Sequence, residues 1–235
     1  EIKTRFQLIN LSDEVLIKKT LNKSISVKTN LAPSIENRKN IVFSAIELLS
    51  DHVGKEIHCE VDIIKNIPLG GGLGGGSSNA ATALIGINFL FELGLTSKEL
   101  MQLGEKLGAD VPFFIFGKNA FASGIGEILS EDNKNIDDKY LLLFPQIHSS
   151  TKELFSKWDG LNKSAQKSLL DNEENSFLPI FLDQNREVKI IFHELCKNNS
   201  FKLSGTGSTI FCTYDDISEI EKTLKKIPSK WRHSF

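Results

Sequence analysis

Cysteine is scarce in this chain. Cys59, Cys196 and Cys212 are too few and too scattered for a disulfide framework or a structural zinc site. They read as small buried hydrophobes in a reducing compartment, the cytoplasm. Five histidines (His52, His58, His148, His193, His233) show no ligand spacing such as H-x₃-H, so none is assigned to a metal. Charge is nearly balanced: 28 basic against 30 acidic residues leave a net of −2. Nucleic-acid binders usually carry a basic excess, so this balance gives no reason to expect one as a partner. A long hydrophobic run is missing too. The most continuous apolar stretch, Ile85 to Leu95, is broken by Gly86, Asn88, Glu92 and Gly94, well short of the roughly 20 residues of a membrane span. Methionine occurs once, at Met101, and the chain opens on Glu1, which leads us to expect further residues upstream.

What is present is ordinary for a globular protein. Of the 235 residues, 40% are hydrophobic and 25% charged, which excludes disorder and suits one large domain or two small ones with a real core. Ile2, Thr4, Phe6 and Leu8, then Val15 and Ile17, and Ile25 and Val27, recur at period two between polar neighbours, predicting short antiparallel strands. Ile41 to Leu49 has helical spacing, with Ser34 as the expected cap. Ile57, Cys59, Val61 and Ile63 form a half-buried strand that runs to Lys65 and Pro68. Helices follow from Ser77 and from Ser97. Ala120 to Leu129 reads as a hairpin turned at Gly124 and Gly126, and Leu141 to Phe144 as an apolar strand. Polar helices are then expected at 151–158, 164–170, 176–182 and 186–198. Strands at 201–203 and 208–214 and a closing helix at 217–226 complete the chain. The pattern argues an α+β fold with domains 1–145 and 146–235.

The informative segment is Pro68-Leu69-Gly70-Gly71-Gly72-Leu73-Gly74-Gly75-Gly76-Ser77-Ser78, six glycines within seven residues between a strand and a helix. Each glycine gives up more backbone entropy on folding than any other residue, so such a run needs a reason. A flexible linker is one reading. The other is an anion cradle: bare backbone lets N–H groups close on phosphate oxygens, and the helix adds the positive end of its dipole. Gly70, Gly72 and Gly75 satisfy G-x-G-x-x-G, but two helices follow where a dinucleotide fold wants its next strand and acid. The Walker pattern fails because no lysine follows the last glycine. Ser77 and Ser78 could cap the helix, bond a phosphate or touch Mg²⁺.

With the residues around it, Ile67 to Ala81 resembles the ATP-binding motif of the GHMP kinase superfamily. The doubled glycine triplet with Ser-Ser-Asn-Ala-Ala is closer to the branch acting on 4-diphosphocytidyl-2-C-methyl-D-erythritol in the non-mevalonate isoprenoid pathway. Leu107-Gly108-Ala109-Asp110-Val111-Pro112-Phe113-Phe114 resembles the catalytic aspartate motif of that branch. The hairpin Ala122 to Leu129 and the glycine motif Leu203-Ser204-Gly205-Thr206-Gly207-Ser208-Thr209-Ile210-Phe211 resemble two further family segments in order. The likeness spans Ser34 to Phe211. It implies a two-lobed GHMP kinase fold, with an N-terminal lobe like domain 2 of ribosomal protein S5 and a ferredoxin-like C-terminal lobe.

The resemblance implies ATP with Mg²⁺, a small-molecule alcohol as substrate, and Asp110 as general base. Locally, Asp110 could also cap a short helix begun by Val111-Pro112. Lys65 is either a solvated strand-end lysine or, by resemblance, a residue near the adenine. Thr151 and Phe155 match the stretch where the family's threonine bonds substrate and its aromatic ring stacks on cytosine; Phe155 could equally be core. Gly205 and Gly207 serve either a strand-connecting turn or an approach to the phosphates or glycine loop. The family also carries, upstream of the region matched by Glu1 to Phe6, a strand with a catalytic lysine and a cytidine-reading segment. Another GHMP-type kinase, of homoserine or mevalonate type, an ATP-binding protein without turnover, and a dinucleotide-dependent oxidoreductase are the rival readings.

Overall fold

The computed structural model describes residues 3–31, 37–133, 138–172 and 174–235, which fall into two compact units. The first comprises Glu1–Ile67 and Gly74–Lys134, the second Pro68–Leu73 and Asn135–Phe235.

In the first unit, β1 (Thr4–Phe6) pairs antiparallel with β5 (Ala120–Ser123), and β5 with β6 (Ile128–Glu131). A second sheet has β4 (Cys59–Ile64) at its centre, between β2 (Glu14–Lys19) and β3 (Ile25–Thr29). Cys59, Val61 and Ile63 are buried on one face of β4 while Glu60, Asp62 and Ile64 face out, as their alternation predicts. β2 runs antiparallel to β4, but β3 runs parallel to it, correcting the expectation of antiparallel strands throughout. The reason lies in the connection. Between β3 and β4 the chain passes through α1 (Ile41–Val53), a crossover long enough to bring the next strand back in the same direction.

α1 buries Val42, Phe43, Ala45, Ile46 and Leu49. Burying an Ile or Leu side chain stabilises the fold by roughly 1.5–3 kcal/mol. Its cap is Asn40, whose Oδ1 accepts from the Val42 amide at 3.0 Å. Ser34, the cap expected from sequence, lies outside the described residues. α2 (Gly75–Leu90), α3 (Ser97–Leu107) and α4 (Val111–Phe116) complete the unit. α3 starts as predicted, with a Thr96–Glu99 capping box. The core joins Val27, Ile46, Leu49, Val61, Leu84 and Val111.

The second unit holds one antiparallel sheet in the order β10-β7-β9-β8, formed by β7 (Lys139–Phe144), β8 (Lys202–Leu203), β9 (Ile210–Tyr214) and β10 (Arg232–Ser234). Helices α5 (Thr151–Gly160), α6 (Lys163–Asn172), α7 (Leu178–Gln184) and α8 (Arg186–Leu195) follow the first strand, and α9 (Ile217–Leu224) follows the third. This is the ferredoxin-like β-α-β-β-α-β arrangement. Its core contains Leu141, Leu143, Leu154, Phe181, Leu195 and Ile210. Two details depart from the sequence reading. β7 was expected to end the first domain, before a boundary at 145, yet it pairs with β9 and β10 in the second unit. β10, Arg-His-Ser, carries no apolar alternation and was not foreseen.

Candidate functional site: a glycine-rich loop and its supports

The glycine run is divided between the units. Within the second, the C-terminal glycine motif seats directly on it. The Thr209 amide donates to the Gly71 carbonyl at 3.0 Å, and Ser204 Oγ donates to the Gly72 carbonyl at 2.7 Å. Gly72 has φ +70°, and any side chain there would run into the carbonyl oxygens of Ser204 and Gly207. Gly205 and Gly207 therefore do more than turn a strand: the motif they belong to holds the loop. The Thr209 hydroxyl is fully buried, 3.1 Å from where a Gly71 Cβ would lie, with no hydrogen-bond partner among the described residues. A cavity of about 280 Å³ adjoins this stretch, lined in part by Leu69, Gly71, His148, Ser208 and Arg232.

Within the first unit, α2 begins at Gly75, two residues before the predicted Ser77. Its cap is Gly74, in the left-handed conformation at φ +64°. Ser77 and Ser78 thus lie inside the first turn, and the capping reading of their side chains is set aside. By helix geometry the amides of Gly75, Gly76 and Ser77 have no carbonyl one turn back, and Gly74 offers no side chain to accept from them. A half-positive helix end with bare, half-buried to exposed backbone is what an anion needs.

Lys65 is not solvated. Its side chain is only 6% exposed and forms an ion pair with Asp13, itself 1% exposed. Asp13 Oδ1 also accepts from the amides of Asn66 and Ile67 at 2.7 and 2.9 Å, and Oδ2 from Asn79 Nδ2 at 3.0 Å. Burial alone would raise the pKa of this carboxyl. Hydrogen bonds from Lys65, Ile67 and Asn66, with the charge of Lys65, outweigh burial and hold it below the usual carboxylate value. Lys65 Nζ stands 3.3 Å from where a Gly75 Cβ would be, beside the start of α2. Sequence reasoning missed Asp13, since an acid ahead of a strand looks like any solvated residue until its donors are known.

Asp110 occupies the cap position of α4, with Pro112 in the first turn, yet its side chain makes no capping bond. The cap reading holds for the backbone only, and the carboxylate is left to other work. It is exposed to solvent, while the protein around it removes enough water to push its pKa above the usual value. Val111, Pro112 and Phe113 are buried behind it, and Phe113 packs on Phe6 at 4.7 Å between ring centroids. One turn along α4, the Phe114 ring stands 2.8 Å from where a Gly74 Cβ would lie. The helix opened by Asp110 thus packs on the glycine that opens α2. The predicted hairpin turn adjoins the same place, with a Gly126 Cβ position 3.9 Å from the Ala109 carbonyl.

Thr151 and Phe155 lie on the first turns of α5. Thr151 Oγ1 is 2.9 Å from Thr206 Oγ1, and Ser149 Oγ donates to the Thr206 carbonyl at 2.6 Å, so the start of α5 is tied to the C-terminal glycine motif. Phe155 is half-buried and meets Phe177 edge-on at 4.8 Å, with Trp158 on the same ring at 6.0 Å. Core packing and exposed ring area therefore coexist at this residue. Among the described residues no three His, Cys, Asp or Glu side chains cluster to hold a metal, and no helix is long and apolar enough to cross a membrane.

A strand, a glycine-rich loop and an uncapped helix, with an aspartate at the head of the neighbouring helix, are the parts expected of a phosphate-handling α+β protein. A family model described as GHMP kinases N terminal domain matches residues 40–118. The 4-diphosphocytidyl-2-C-methyl-D-erythritol kinase of Ruthia magnifica is 38% identical over 98% of this chain and 83% of its own length. That of Acinetobacter baumannii is 37% identical over 98% and 84%. A crystal structure of 4-(cytidine 5'-diphospho)-2C-methyl-D-erythritol kinase aligns with a TM-score of 0.67 at 24% identity, over 92% of this chain and 81% of that one. The mevalonate kinase of Methanococcus jannaschii shares the fold, with a TM-score of 0.72 at 14% identity over 96% and 88%. The chain belongs to the 4-diphosphocytidyl-2-C-methyl-D-erythritol kinase family of the GHMP kinases.

Proposed function

We propose that the protein transfers the γ-phosphoryl group of ATP to the 2-hydroxyl of 4-diphosphocytidyl-2-C-methyl-D-erythritol. The substrate oxygen forms a bond to the γ-phosphorus as the bond to the β,γ-bridging oxygen breaks. ADP leaves, and the hydroxyl proton passes to Asp110. The observation that carries this reading is the uncapped start of α2, where free amides meet an ammonium and the helix headed by Asp110 packs alongside. In it Pro68 to Ser78 and Lys65 hold the nucleotide, backbone amides taking the phosphates. Thr151 bonds the second substrate and Phe155 stacks on its cytosine. The first unit and the glycine loop bind chiefly ATP, and the rest of the second unit the cytidylyl end.

Asp110 suits a base for two physical reasons. Its carboxylate is not consumed by capping, and its raised pKa makes it a stronger proton acceptor than a solvated aspartate. Mg²⁺ would arrive with ATP, held mostly by phosphates and water. The hydroxyls of Ser77 and Ser78, in the first turn of α2, would bond a phosphate or touch the ion, which would neutralise charge on the β- and γ-phosphates. We place the protein in the cytoplasm, a reading supported by its three free thiols.

The test is ADP release on mixing the protein with ATP, Mg²⁺ and candidate alcohols. Release with the cytidylyl compound supports the proposal. Release with homoserine or mevalonate only would remove the substrate and keep the class. Micromolar ATP binding without any turnover would favour a binding protein.

A further inference from the structure

Asp13 has no part in the chemistry above, yet its buried carboxylate gathers donors from two separate elements. Lys65, Asn66 and Ile67 come from the end of β4 and its exit, and Asn79 from the second turn of α2. Buried ion pairs are weak sources of stability, because desolvating both charges offsets most of their attraction. What such a pair fixes well is geometry. Here the geometry is unusual: an ammonium lies beside the positive end of a helix, 3.3 Å from the Cβ position of its first residue. Alone, that arrangement is repulsive and Lys65 would swing away. Asp13 compensates it with a single negative charge, and the ammonium plus helix end still leave a positive excess to meet an anion.

We propose that Asp13 is a positioning residue for the nucleotide, which holds the Lys65 ammonium at the first turn of α2 and sets the corner where β4 leaves for the glycine loop. The proposal rests on the kinase reading of that loop. Oδ1 fixes the corner through the two amides. Oδ2 fixes the ammonium and, through Asn79, the helix itself, so one side chain sets strand, corner and helix start in register before any phosphate arrives.

Asp13→Asn keeps shape and leaves one oxygen for the Asn66 and Ile67 amides, but turns an NH₂ toward Lys65 and Asn79. The expected result is a rise in KM for ATP of roughly tenfold or more, the scale of a charge-assisted hydrogen bond, with KM for the alcohol unchanged. A merely structural role would instead lower the melting temperature and the active fraction, moving kcat and leaving KM for ATP alone. Asp13→Asn combined with Lys65→Met separates the two further. Removing both charges should recover the melting temperature, while KM for ATP stays high. Recovery of both, or a folded Asp13→Asn with wild-type KM for ATP, would overturn the proposal. If Asp13→Asn does not fold, Asn79→Ala removes only one donor. It should raise KM for ATP several-fold, and an unchanged value would overturn the proposal. Binding of a fluorescent ATP analogue to the unaltered protein keeps the two readings apart. Binding without turnover sinks the substrate reading and leaves the Asp13 comparison measurable as Kd, whereas no binding at all sinks both.

Discussion

Gly72→Ala tests the loop where the structure is least forgiving. Gly72 has φ +70°, a left-handed conformation that costs an L-residue roughly 1–2 kcal/mol. The added methyl would meet two backbone carbonyls, of Ser204 and Gly207, and backbone cannot step aside as the end of a side chain can. The simplest relief is to move the loop, which breaks the Ser204–Gly72 hydrogen bond, worth about 1 kcal/mol. Together these destabilise by about 2–3 kcal/mol. For a chain of this size that lowers the melting temperature by roughly 4–12 °C. Gly76→Ala is the matched comparison: its φ is not positive and the new Cβ meets only Ile41 Cγ2, at 3.9 Å. Within a helix, exchanging Gly for Ala stabilises by about 0.5–1 kcal/mol. Thermal unfolding of both variants, with ATP affinity by titration, reads the contrast. Gly72→Ala should melt early and bind ATP weakly. Gly76→Ala should melt at or above the wild-type temperature, and any loss of ATP affinity there reports a phosphate against its backbone. A Gly72→Ala protein with unaltered melting and ATP affinity would refute the reasoning about the C-terminal glycine motif.

Asp110→Asn keeps size and loses basicity, so turnover should fall by about 10²–10⁴-fold with ATP affinity little changed, as single-turnover kinetics and titration would show. Because partial desolvation by the surrounding protein raises the pKa of Asp110, the base form is lost as pH falls through a value above the usual carboxylate value. The acid limb of kcat/KM should sit correspondingly high, and a limb at an ordinary carboxylate value would argue against Asp110. The same raised pKa means that ionising Asp110 opposes folding above that pKa and not below its unfolded value. Asp110→Asn should therefore raise the melting temperature at neutral pH and leave it unchanged near pH 3. Asp13 has the opposite sign: its depressed pKa contributes stability above the unfolded value of about 3.9, lost as pH falls through the folded value. Asp13→Asn should therefore flatten the acid arm of an unfolding curve. Phe155→Leu should raise KM for the cytidylyl substrate about tenfold, the lower range of base–aromatic stacking, with KM for ATP unmoved in steady-state assays.

Much of this was legible because apolar period and glycine content are local signals. β4, α1, α3 and the hairpin stand where their patterns put them, and the glycine run announced itself. The remainder depended on partners distant in sequence. Alternation marks β3 as a strand but says nothing of its direction, which the crossover through α1 decides. The start of α2 was misplaced because serines are commoner caps than glycine, whereas the chain uses the left-handed freedom of Gly74 instead. β10 is too polar to show a period, and it is a strand because Leu142 to Phe144 offer it an edge. Asp13 lies 52 residues before the lysine it pairs with, so no window of sequence connects them.

Two aspartates of one unit carry opposite perturbations, and the contrast follows from donor supply rather than residue type. Asp13 is nearly inaccessible but faces an ammonium, two amides and a carboxamide, so its charge is satisfied and its basicity spent. Asp110 is accessible and makes no capping bond, so partial desolvation acts unopposed and its basicity grows. Environments that drive like groups apart are how one fold assigns separate roles to them. Had the donors been exchanged, with Asp110 capping α4 and Asp13 unpaired, the base role proposed for Asp110 would be quenched and Lys65 left to repel the helix end. The proposed division of labour thus rests on the first turn of α4 having no side-chain cap, which leaves the Asp110 carboxylate without a capping bond.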